Sequence, residues 1–290
     1  MSNLNRWLLA AVPILLVPAL LFWFWPRPRD VMYSLYRERG KAQTLAGLDG
    51  YQSKESQHYE IWYTDADEKN VDMILKTAET VYGPVVKAVG FQADKVPLIV
   101  YPDRTVLRKA FGWGSSESAM GVYWQGTVRL LSPNAWIDEQ TDKSRARVFR
   151  KLNPIAHELT HYLLDYKTSG NYPRWFTEGL AQRVEHDVTG YLWIENKSTL
   201  RQNLYSLSDL ESHFDQLDNQ PLAYRESFLL VDYLASTYGK AQMSALVERL
   251  GNGISFGDAV RMTYGKSIGQ IHDDWADWVK DNLDELDPTG

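Results

Sequence analysis

His157 and His161 stand four residues apart, with Glu158 beside the first, in the stretch Asn153-Pro154-Ile155-Ala156-His157-Glu158-Leu159-Thr160-His161. On a helix, residues i and i+4 share a face, so this spacing predicts a helix that presents two imidazoles to one ion. Glu158 is then placed to take a proton from a water on that ion. A second stretch, Trp175-Phe176-Thr177-Glu178-Gly179, offers a carboxylate on the next predicted helix. The chain contains no cysteine. That removes disulfides, thiolate zinc sites and a cysteine nucleophile together, and any metal must be held by His and carboxylate. Zinc in a hydrolase takes three protein ligands and leaves a fourth position open. His157, His161 and Glu178 are therefore the expected ligands of one zinc ion per chain. Gly179 removes a side chain where helices approach closely.

The rest of the chain frames this region. Residues 7–25 carry no charged or strongly polar side chain, and such a run is long enough to cross a bilayer as a helix. Trp7, Trp23 and Trp25 mark its ends as an interfacial belt would. A cleaved signal peptide is the rival reading, but the apolar run continues past Val17-Pro18-Ala19 without a break. Residues 1–29 are thus expected to be a membrane anchor, 30–56 a stalk that is partly helical around 32–39, and 57–290 the folded domain. Arg27, Arg29, Arg37, Arg39 and Lys41 follow the span, and counting positive charges alone would hold the domain in the cytoplasm. The usual behaviour of a first-span signal anchor and the chemistry of the motif favour an extracytoplasmic domain instead. The net charge of −6, with no long basic stretch, argues against nucleic acid as a partner.

Strand-type residues occupy 59–64 and 96–101, and 121–124 with 127–131 read as a hairpin about Gln125-Gly126. Apolar residues from Val71 to Val89 recur at helical spacing and end at Gly90. After Ala146 the pattern is mainly helical: the motif helix to about Tyr166, a loop at 169–173, a helix from about Arg174, a stripe over Tyr224–Tyr238, and amphipathic helices over 241–250 and 268–283. Residues 191–194 suggest a short strand. Strands first and helices afterwards imply an α+β arrangement.

His157-Glu-Leu-Thr-His161 followed by Trp175-Phe-Thr-Glu178-Gly resembles the gluzincin group of zinc metallopeptidases, in particular the small bacterial peptidase MA-like families. The resemblance implies a thermolysin-like fold, with a small N-terminal sheet that has an edge strand and a mainly helical C-terminal half. It extends to Tyr224-Arg-Glu-Ser-Phe, similar to the gluzincin aminopeptidase stretch whose leading Tyr stabilises the oxyanion. Tyr224 is accordingly a candidate catalytic residue beside the general base Glu158; its other reading is an ordinary core aromatic. Glu185, seven residues beyond Glu178, is a candidate for orienting a histidine. The sequence departs from the family in two ways. The gap between His161 and Glu178 is shorter, so the loop between them must be tight. The aminopeptidase Gly-Ala-Met-Glu-Asn motif is missing, and Ser118-Ala119-Met120-Gly121 has no carboxylate in its place.

These features point to a membrane-anchored zinc peptidase acting as an endopeptidase on a peptide or protein substrate. The strand 127–131 is the expected receiver of an extended peptide by strand addition. Two other readings stand beside it: a catalytically silent protein-binding module that retains its zinc site, and a zinc hydrolase of a non-peptide substrate.

Overall fold

The computed structural model describes residues 27–115, 119–139 and 141–288. The apolar run 7–25 lies outside them. Among the described residues, no helix is long and apolar enough to cross a membrane. The described residues open on a helix α1 (Pro28–Ala46), then β1 (Gln52–Glu55), β2 (Tyr59–Tyr63), α2 (Val71–Val89), β3 (Val96–Tyr101), α3 (Arg104–Phe111), β4 (Gly121–Trp124) and β5 (Thr127–Leu131). Helices follow: α4 (Asp142–Leu152), α5 (Ile155–Thr168), α6 (Arg174–Thr189), α7 (Leu207–Ser212), α8 (Gln220–Tyr238), α9 (Lys240–Gly251), α10 (Phe256–Tyr264), α11 (Ile268–Asp281) and α12 (Leu283–Leu286). This is the α+β order expected, a small sheet ahead of a mainly helical half. Residues 191–194 are irregular rather than a strand.

The sheet runs β1-β2-β3-β5-β4, with β2, β3 and β5 parallel and the two outer strands antiparallel to their neighbours. Its centre is legible in composition, since Val96-Pro-Leu-Ile-Val-Tyr101 is buried at every position, as a strand covered on both faces must be. One expectation is corrected here. Strand 127–131 is not a free edge: β5 lies between β3 and β4, and all five of its residues are buried. The edge is its hairpin partner β4. Gln125 and Gly126 close that hairpin with φ of 43° and 73°, the left-handed pair that a two-residue turn requires.

The main core lies between one face of the sheet, α2 and the helical half, with Trp175, Trp275, Tyr59 and Tyr162 among its largest buried side chains. The opposite face carries a smaller cluster of Ile99, Tyr101, Leu107 and Leu131, against which Leu45 and Leu48 pack. The segment read as a stalk therefore differs from that expectation. Residues 28–46 form a docked helix, and 52–55 form a strand paired with β2. On α1, Arg37 Nη1 reaches Asp165 Oδ2 at 3.1 Å, with both side chains buried. Asp165 also accepts from the hydroxyls of Tyr33 and Tyr123, the latter at 2.7 Å. The Arg37 guanidinium lies 3.7 Å from the centre of the Tyr166 ring, a cation–π contact sheltered from water.

Removing one partner of a buried, hydrogen-bonded ion pair leaves the other charge without compensation, which costs about 3–5 kcal/mol. Asp165→Ala should lower the unfolding free energy by about that amount, measured by urea denaturation. A midpoint unchanged from wild type would mean that α1 is not held by this pair.

Candidate metal centre

Asn153 sets where the motif helix begins. Its Nδ2 donates to Phe149 O and Arg150 O at the end of α4, and its Oδ1 accepts from Ile155 N at 3.0 Å. One side chain thus closes α4 and opens α5. At the other end Ser169 (φ 53°) and Gly170 (φ 68°) reverse the chain within five residues, the tight connection that the short gap demanded. Asn171 pins that loop by donating to Leu250 O and Ile254 O. α6 then packs on α8 so closely that a Cβ on Gly179 would lie 2.1 Å from Ser227 O, so this position admits glycine alone.

These constraints bring His157, His161 and Glu178 together as the one group among the described residues suited to hold a metal. The two Nε2 atoms are 3.1 Å apart, and Glu178 Oε2 lies 3.3 Å from His157 Nε2 and 3.5 Å from His161 Nε2. Ligands about 2.0–2.1 Å from a tetrahedral zinc stand about 3.3 Å from one another. The triangle has the size that zinc requires. Glu178 Oε2 is buried and makes no hydrogen bond, even with two imidazole nitrogens so close. Three electron-pair donors converging on one point is poor hydrogen-bonding geometry and good ligand geometry.

The surroundings fix each ligand. His161 Nδ1 is 2.6 Å from Thr177 Oγ1, and His157 Nδ1 is 3.3 Å from Glu185 Oε2. With both Nδ1 atoms engaged, both Nε2 atoms face the centre. Arg174 Nη1 holds Glu178 Oε1 at 2.9 Å and leaves Oε2 to the triangle. Glu185 stands where its spacing suggested; Thr177 and Arg174 were not anticipated. Arg174 lies four residues before Glu178 on one helix, so the i, i+4 rule contained the signal. Of the remaining histidines, His58 stacks on Tyr82 and pairs with Glu79, and His186 lies against Phe228.

Electrostatics follow the geometry. Burial alone would raise the Glu178 carboxyl, but His161, Arg174 and His157 outweigh it and hold it well below the ordinary range. Burial opposes the charge of His157, yet Glu178, Glu185 and Glu158 push its imidazole well above its usual value. Glu158 goes the other way: burial, with Glu178 adding to it, raises its carboxyl despite the two histidines and the Tyr123 N–H that oppose the shift. That N–H donates to Glu158 Oε2 at 2.6 Å, so the edge strand itself orients this carboxylate. Gly121 makes the approach possible, because a Cβ there would meet Pro154 Cγ at 2.6 Å and Glu158 Cγ at 2.8 Å. Tyr224 packs against Trp193 and Phe214. Burial, and then the charge of Glu178, raise its hydroxyl, which also feels Arg174, Asp215 and Glu158 and so stands in the field of the centre.

A His-His-Glu centre with a buried carboxylate beside it has the ligand set of a metal-dependent hydrolase site. Residues 142–281 match the family model of the Peptidase MA superfamily. No curated protein sequence matches the chain. Among solved structures, native yeast LTA4 hydrolase is similar at 13% identity and a TM-score of 0.48, over 79% of this chain and 38% of that one. An M1 zinc metallopeptidase mutant from Deinococcus radiodurans is similar at 11% identity and a TM-score of 0.39, over 78% of this chain and 51% of that one. The chain therefore spans about half or less of the length of these structures.

Metal binding must displace the proton that Glu178 and Glu185 favour on His157. Zinc affinity should therefore fall as pH falls and that imidazole protonates. Glu185→Gln should weaken zinc binding by about 10–100-fold through loss of the Nδ1 partner. Chelator competition followed across pH would measure both; affinity independent of pH, or equal in the variant, would remove this account of His157.

Proposed function

We propose that the chain is a membrane-anchored zinc endopeptidase in which His157, His161 and Glu178 hold the metal, Glu158 is the general base and Tyr224 donates to the oxyanion. The observation that carries this reading is Glu158: a buried carboxylate beside a three-ligand triangle, with one oxygen tied to Tyr123 N and its proton affinity raised. A structural metal site has no use for such a group next to an open position. Zinc, when bound, lowers the pKa of water and polarises a carbonyl. Glu158 takes the proton from the attacking water and passes it to the leaving amine. Tyr224 keeps its proton to donate, in line with the upward shift of its hydroxyl.

The peptide lies along β4. In the antiparallel register with β5, the main-chain groups of Gly121 and Tyr123 point away from the sheet; the Tyr123 N–H is taken by Glu158, and pairing through the remaining groups would hold an extended substrate beside that carboxylate. The missing carboxylate ahead of this strand supports internal cleavage over recognition of a free amino terminus. Residues 7–25 anchor the chain, with the domain outside the cytoplasm; the uninterrupted apolar run supports the anchor.

Glu158→Gln should keep its zinc and lose about 10²-fold or more in kcat on an unbiased peptide library. Normal turnover in that variant would refute the mechanism, and wild-type zinc content with no peptide cleaved would favour a non-peptide substrate or a binding role. Tyr224→Phe should lose about 10²-fold in kcat, as for one oxyanion donor, with zinc unchanged. An unaltered rate would return Tyr224 to the aromatic cluster with Trp193 and Phe214.

A further inference from the structure

Four of the eight large apolar side chains exposed among the described residues fall on two turns of α1: Val31, Met32, Leu35 and Tyr36. Met32, Leu35 and Tyr36 are 67%, 61% and 56% exposed and lie at i, i+3 and i+4 on one face. Helices of soluble domains turn such a stripe inward, and this one cannot. Its opposite side is held by the body of the protein: Arg37 and Tyr33 are bound to Asp165, and Gly40 lies against Gln125, whose side chain a Cβ would meet at 2.3 Å. Rotating α1 to bury the stripe would break the buried ion pair.

We propose that this face of α1 is a membrane-docking surface that rests in the headgroup region of the bilayer crossed by residues 7–25. The proposal rests on the anchor reading. The occupant follows from the chain itself. Trp25 closes the apolar run and Pro28 opens α1, so the helix starts at the bilayer surface. At about 1.5 Å rise per residue, an upright α1 would carry Leu35 and Tyr36 about 10 Å or more into water. Lying flat, it places the stripe at the depth of about 5–10 Å that interfacial helices reach. Tyr36 has the apolar ring and polar tip favoured at that level. Arg39, exposed one turn further on, can extend along the surface to lipid phosphates. Because the other side of α1 grips Asp165 on the motif helix, docking would fix the orientation of the metal centre relative to the bilayer.

The chain has no cysteine, so single spin labels can be placed without background. Met32→Cys, Leu35→Cys and Met262→Cys would be made in the full chain, reconstituted in phosphatidylethanolamine–phosphatidylglycerol vesicles. Accessibility to oxygen and to a water-soluble nickel chelate would then be compared. Labels at 32 and 35 should gain oxygen accessibility and lose accessibility to nickel, while 262 remains open to nickel. Nickel accessibility at 35 equal to that at 262 would overturn the proposal. Protection at 32 and 35 from both reagents would also overturn it, in favour of cover by a second copy. Alkaline extraction of the same vesicles separates the two readings: release of the chain refutes the anchor and the docking together, whereas retention with position 35 in water refutes the docking alone.

Discussion

A buried carboxylate, Asp165, ties three parts of the fold together. It sits on α5 four residues beyond His161, is 1% exposed, and is reached by Arg37 and Tyr33 from α1 and by Tyr123 from β4. An isolated charge at such depth costs several kcal/mol or more. A cation and hydroxyls arrive together to compensate this carboxylate, and their arrival requires α1 on one side of the motif helix and the hairpin on the other. Arg37 Nη1 also donates to Asp165 O at 3.2 Å, the carbonyl that accepts the Ser169 N–H at the end of α5. The position of the sheet edge relative to the metal centre is thus set by electrostatics as much as by apolar packing.

At the centre itself the charges are arranged in opposition. Glu178 is drawn towards its ionised form by Arg174 and the histidines, while Glu158, a few ångströms along the same field, is pushed towards its protonated form. Two carboxylates on neighbouring helices are thereby pushed in opposite directions, in keeping with the proposed roles of Glu178 as ligand and Glu158 as base. Arg174 contributes twice, balancing Glu178 and occupying Oε1 so that a single oxygen faces the imidazoles.

Much of this was legible in the residues. The spacing of His157 and His161, the Trp-x-x-Glu-Gly stretch and the helical stripe from Tyr224 located α5, α6 and α8, because 3.6-residue periodicity reports directly which side is buried. Gly179 was recognised as a place of close approach, and Ser227 O lies there. The docking of α1 was not legible. Its inward face is Tyr33, Arg37 and Gly40 and its outward face is Met32, Leu35 and Tyr36, an inverted pattern that reads as an unpacked stalk. The edge strand was misassigned for a related reason. β4 and β5 are hairpin partners of similar composition, and what places β5 inside the sheet is its parallel pairing with β3, a contact made 30 residues away in sequence. Thr177 and Asp165 are ordinary residues of helical stretches until the tertiary structure brings them their partners.

Tyr123 joins the two halves of this picture. Its hydroxyl is spent on Asp165 and its main-chain N–H on Glu158, so one residue of the edge strand touches both the clamp of α1 and the proposed base. The N–H holds Glu158 Oε2 and leaves its other oxygen to exchange a proton in the proposed mechanism. A shift of β4 by a fraction of an ångström would lengthen this 2.6 Å hydrogen bond. The ion pair on α1 resists such a shift because Tyr123 and Arg37 share the same Asp165 oxygen, Oδ2. Orientation of the Glu158 carboxylate therefore depends on a helix that contributes no side chain to the centre.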